Sequence, residues 1–123
     1  MKSKYLDELT ALLKQVRPEL GTSHRLDFKN VFGAVGGYVN GNIFISCGKF
    51  GVALRLPSAT LDTLFQNEDV THLKYFSGGH TKKEYAVLPE RILENSSHFR
   101  RLVDESVQYV VRASKIKNRA QRK

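Results

Sequence analysis

The chain has one cysteine, Cys47, among its 123 residues, and only three prolines. A single thiol forms no internal disulfide and supplies no multi-thiolate metal site, so neither device is available to staple the fold. No apolar run approaches the roughly 20 residues that span a bilayer. Near the amino terminus, Asp7, Glu8 and Lys14 interrupt the apolar positions, which leaves no continuous signal-peptide core. These absences predict a soluble, cytoplasmic protein that makes no use of a membrane. The histidines, His24, His72, His80 and His98, are scattered and form no HxxxH pair of metal ligands. Neither Gly33-Ala34-Val35-Gly36-Gly37 nor Gly48-Lys49-Phe50-Gly51 has the spacing of a Walker loop or a dinucleotide fingerprint. No catalytic residue, cofactor, metal or small-molecule substrate is assigned on these grounds. A small hydrolase would need a base brought from elsewhere in the chain, and His80, in an exposed-looking loop beside Gly79, is the one histidine to test.

What remains is an ordinary globular composition, 41% hydrophobic and 26% charged, which excludes wholesale disorder. The length suits one domain with one core, read as residues 1–111 followed by a basic tail, 112–123. The strongest local signal is Asn40-Gly41 between Tyr38-Val39 and Asn42-Ile43-Phe44-Ile45. Asn and Gly tolerate the positive φ that both positions of a type I′ hairpin turn require. The turn sets Val39 across from Asn42 and Tyr38 across from Ile43, and strict alternation then places Cys47 with Ile43 and Ile45 on one face, as a small buried thiol. A second turn at residues 48–51 leads into Val52-Ala53-Leu54-Arg55-Leu56, giving a three-stranded meander.

Apolar residues at Tyr5, Leu6, Leu9, Leu12, Leu13 and Val16 have the spacing of an amphipathic helix that Pro18 ends. Residues 21–24 read as a loop and residues 25–32 as an extended segment. Pro57-Ser58 opens a short helix with Ser58 as its cap, and residues 72–76 and 84–88 read as two more strands. The sheet then has about five strands. Pro89 begins a short helix, and Asn95-Ser96-Ser97 marks the start of a longer one. That helix carries Phe99, Leu102, Val103, Ser106, Val107, Val110 and Val111 on one face, with Asp104 and Glu105 opposite on a solvated face.

The wording of the strands adds a resemblance. Phe32-Gly33, then Gly36-Gly37-Tyr38-Val39-Asn40-Gly41-Asn42-Ile43-Phe44, then Leu54-Arg55-Leu56 and Tyr85-Ala86-Val87-Leu88-Pro89-Glu90, resemble in order and spacing the amino-terminal domain of the TfoX/Sxy family, over residues 5–113. Val31 stands where that family often has methionine, and Ala34 where a second glycine often follows the Phe-Gly pair. The resemblance implies an α+β domain, an antiparallel sheet flanked by an N-terminal helix and C-terminal helices, without an established catalytic constellation. It also implies kinship with regulators of bacterial natural competence, and a stand-alone form that lacks their helical carboxy-terminal domain.

Charge supplies the last expectation. Of the net +8, +6 falls in residues 112–123, which contain no acid. Clustered cations neutralise nucleic-acid phosphates with little sequence preference. Arg112, Lys115, Lys117, Arg119, Arg122 and Lys123 are therefore candidate nucleic-acid contacts, with Arg100 and Arg101 extending the patch. The leading expectation is a non-enzymatic regulatory or adaptor domain that binds protein, with self-association as a homodimer. The alternative is a sequence-independent nucleic-acid binder using the tail, and the third reading is a small enzyme.

Overall fold

The computed structural model describes residues 3–75 and 78–121, with side chains for 4–75 and 78–113. Helix α1 (Ser3–Val16) and a four-residue helix α2 (Leu20–Ser23) precede four strands, β1 (Leu26–Val31), β2 (Ala34–Val39), β3 (Asn42–Gly48) and β4 (Gly51–Arg55). Helix α3 (Ser58–Leu64), strands β5 (Thr71–Leu73) and β6 (Lys82–Leu88), helix α4 (Glu90–Leu93) and a long helix α5 (Ser96–Gln121) follow. The strands form one antiparallel sheet in the order β1-β2-β3-β4-β6-β5. Six strands stand where about five were expected, because residues 26–31 pair in full register along β2. Residues 21–24 are not a loop throughout, since α2 continues the turn after Pro18.

The expected hairpin register is present, with Tyr38 opposite Ile43 and Val39 opposite Asn42. Asn40 and Gly41 have φ values of 50° and 85°, as a type I′ turn requires. The alternation beyond the turn is corrected by a bulge: Gly37 pairs with Ile45 while Tyr38 pairs with Ile43, so Phe44 is an extra residue on β3. Phe44 and Ile45 both enter the core beneath the helices, and Ile43 moves to the other face. Cys47 thus shares its face with Ile45 and not with Ile43. Bulges disturb the ladder, and here the Ser106 hydroxyl of α5 donates to the Phe44 carbonyl at 2.9 Å.

One face of the sheet carries α1 and α5. Leu9, Leu13 and Val16 from α1 meet Phe99, Leu102, Val103, Val107 and Val110 from α5 over Val35, Val39, Phe44, Ile45, Leu54 and Leu88. Burying one such side chain stabilises the fold by about 1.5–3 kcal/mol. The start of α5 matches its reading, with the Asn95 side-chain oxygen accepting from the His98 amide at 3.1 Å. Ser58 does not cap α3: Pro57 occupies that position, and no side chain bonds the end. Asp104 and Glu105 are half-buried rather than solvated. Asp104 pairs with Arg17, and Glu105 accepts from the Thr60 hydroxyl at 2.7 Å, so the two carboxylates tie α5 to both neighbouring segments.

Candidate interaction surface

No described helix covers the second face of the sheet. Its centre is a small cluster of Ala53, Leu73 and Tyr85, flanked by Ile43, Phe50, Tyr75 and Val87. Two glycines make this close packing available. A Cβ on Gly36 would lie 2.8 Å from Ile43 Cδ1, and one on Gly48 2.7 Å from Ala34 Cβ. Tyr75, just after β5, lies across the sheet with its hydroxyl 2.8 Å from Ser46 Oγ, which is how a serine on this face becomes fully buried. Burial raises the pKa of both Tyr75 and Tyr85, so the two phenols stay neutral across the physiological range.

Rings gather around Tyr75. Phe50 meets it edge-on with centroids 5.6 Å apart, and Phe32 tilts against it at 5.4 Å. Lys29 places its ammonium 5.0 Å from the centroid of the Tyr38 ring. Phe32 is the unusual member. With Gly33 it forms the two-residue turn between β1 and β2, and it holds φ 49°, a conformation suited to Asn or Gly and strained for a bulky aromatic. The residue is nevertheless 67% exposed. In the sequence the Phe-Gly pair carries a family resemblance; its equivalence to Asn40-Gly41, eight residues on, is the signal for a further two-residue turn.

The basic residues named from the sequence do not converge among the described side chains. Arg100 lies 3.8 Å from the Glu19 carboxylate, which also pairs with Arg17 at 3.5 Å. Arg101 and Arg112 are exposed and lie about 16 Å apart along α5 by helix rise, with Glu105 between them. The α5 backbone carries Lys115, Lys117 and Arg119, whose side chains lie outside the described residues, as do Arg122 and Lys123. His80 is exposed between β5 and β6.

Cys47 borders a cavity of about 430 Å³ that is also lined by Glu8, Glu90 and Glu94 and by no histidine. Burial first, and the Glu8 charge second, raise its pKa from 9.0 to about 11. Such a thiol is a poor nucleophile at neutral pH. Alkylation by iodoacetamide at pH 8 is expected to run roughly a hundredfold slower in the folded protein than in urea, from thiolate fraction alone. Equal rates would show an accessible thiolate. Because the folded state holds this proton more tightly, the linked stability is complete below pH 9 and is lost as pH rises through about 11. No group of three or more His, Cys, Asp or Glu among the described residues could hold a metal ion.

An antiparallel sheet backed by helices on one side and carrying a rim of aromatic rings on the other defines an α+β domain. A family model, the TfoX N-terminal domain, matches residues 19–110, and the chain belongs to that family, whose members point to a regulatory or adaptor-type domain. Helix α1 lies ahead of the matched span. No curated protein and no solved structure matches the chain. No described helix is long and apolar enough to cross a membrane.

Proposed function

We propose that the chain acts by binding a protein partner through the second sheet face, as a non-enzymatic regulatory domain. The observation that carries this reading is Phe32, a large ring kept exposed on a strained turn against Tyr75, which Phe50 in turn meets edge-on. Aromatic residues, phenylalanine among them, are enriched at protein interfaces, and strained backbone clusters at functional sites. The continuation of α5 through residue 121 favours nucleic-acid contact as the second reading, because it strings Arg112, Lys115 and Arg119 at three- and four-residue spacing.

Photo-crosslinking in cells, with benzoylphenylalanine at position 32 in one version and at exposed position 108 in another, tests both. A discrete polypeptide adduct from position 32, missing from position 108, is the expected result. Nuclease-sensitive adducts from position 108 with none from position 32 would move nucleic acid to the front. Absence of adducts from both positions would overturn the proposal.

A further inference from the structure

Strand β1 closes one side of the sheet, and its hydrogen bonds reveal which backbone groups face outward. The Asn40 amide donates to the Arg25 carbonyl at 2.8 Å, one step before Leu26 pairs with Val39. Carbonyl direction alternates along a strand, so Arg25, Asp27, Lys29 and Val31 turn their amide groups toward β2. Leu26, Phe28 and Asn30 turn theirs away from it. The Asn40-Gly41 hairpin agrees: Val39, flanking the turn opposite Asn42, bonds toward β3, leaving the Leu26–Val39 pair without mutual hydrogen bonds. The register of β1 on β2 runs unbroken over all six residues, and no described strand lies beyond β1.

An unpaired edge of this length normally carries charge to discourage pairing. Here the charges are Asp27 and Lys29, two residues apart, of opposite sign and on the open face, since Lys29 lies against Tyr38; just ahead of the strand, exposed Arg25 lies 3.3 Å from the Asp27 carboxylate. That arrangement repels in some alignments and attracts in two: a two-fold at Leu26 would set Arg25 across from Asp27 but leaves most of β1 beyond the overlap, whereas a two-fold at Phe28 uses nearly the whole strand. If a second copy lies antiparallel with a two-fold axis at Phe28, Phe28 faces Phe28, Leu26 faces Asn30, and Asp27 faces Lys29 twice. The outward amide groups of 26, 28 and 30 then meet their counterparts. The two charge pairs fall at the positions without hydrogen bonds, where Cα atoms are closest, at about 4.5 Å. Sliding the alignment by two positions sets Asp27 across from Asp27 and Arg25 across from Lys29, or else Lys29 across from Lys29. Shifting the pairing by one position sets outward amides against inward ones and exchanges the faces.

We infer that β1 pairs with β1 of a second copy in this single register, making a continuous twelve-stranded sheet with both helical layers on the same side. The inference rests on the reading of the chain as a macromolecule-binding domain, but it uses the sheet edge rather than the aromatic face.

The test is sedimentation equilibrium of the full chain over a concentration series, with Asp27→Lys and Lys29→Asp variants. Both positions are exposed, and circular dichroism checks that each variant folds. The parent chain is expected to dimerise. Each single variant sets like charges across from each other at both symmetric pairs and is expected to raise the dissociation constant by roughly tenfold or more. A one-to-one mixture of the two variants restores opposite charges at both pairs and is expected to recover the parental affinity. Asn30→Pro, which removes an outward-facing amide while sparing the β1–β2 ladder, is expected to yield monomer. A parent chain monomeric throughout the series, or variants whose mixture associates no better than either alone, would overturn the inference. Adducts with a different protein from position 32 would persist in either event, so the aromatic-face reading stands or falls separately.

Discussion

Phe44→Ala is expected to remove about 3–5 kcal/mol of folding stability, the range for deleting a fully buried phenylalanine. Phe44 is 0% exposed and lies among the side chains that join the sheet to α1 and α5. It is also the surplus residue of the bulge, with its carbonyl held by Ser106. The void left by the ring has little means of closing, because Ile45 beside it is itself completely buried. For a domain whose whole stability is on the order of 5–15 kcal/mol, the variant should unfold at a much lower urea concentration, with little change in the slope of the transition. Ile43→Ala supplies the contrast, since Ile43 is only half-buried and packs on the other face. Its loss should be clearly smaller. Had β3 alternated without a bulge, Ile43 would have been the core residue and Phe44 the surface one. Equal losses at the two positions would contradict the observed register.

The second large effect is overpacking at Gly37. A Cβ there would lie 2.7 Å from Ile45 Cγ2, 3.4 Å from Phe44 Cε1 and 3.5 Å from Phe28 Cε1. Two of those three residues are fully buried and cannot turn out of the way. Gly37→Val adds two further methyl groups to this contact and is expected to destabilise by about 1–3 kcal/mol, with more if β2 is forced off β3. The closest atom belongs to the β-branch of Ile45, so Ile45→Leu, which removes that branch, should relieve part of the clash. In a double-mutant cycle of Gly37→Ala and Ile45→Leu, the combined loss should fall short of the sum of the separate losses. Strict additivity would place the strain elsewhere.

The parts of this architecture legible from residues alone were those fixed by local chemistry. Asn40-Gly41 specifies its own turn, and the turn specifies the pairing of its four neighbours. The stripe on α5 from Phe99 to Val110 repeats with the helix period, and Pro18 closes the first helical run. What alternation missed was the bulge, because it is a relation between strands: three consecutive large apolar residues, Ile43-Phe44-Ile45, crowd against a glycine pair on β2, with Ile43 over Gly36 and Phe44 and Ile45 over Gly37. That coincidence was visible but required the pairing first. The roles of Asp104 and Glu105 escaped for a similar reason, since Arg17 and Thr60 are far away in the chain and become neighbours only once α5 lies on the sheet. The basic run was legible as charge, whereas the exposed ring of Phe32 was hidden inside a family-like dipeptide that reads as a turn only once β1 is recognised as a strand.

The bulge also bears on how this lineage can change in length. Because Phe44 and Ile45 point the same way, Ile43 and Ser46 keep their sides of the sheet whether or not a residue stands between Ile43 and Ile45. A gene losing the Phe44 codon would leave every other side chain on its own side, whereas the loss of a codon elsewhere in β3 would turn part of the strand inside out. This position is therefore a natural place for relatives to differ by one residue, and for an alignment of them to open a gap.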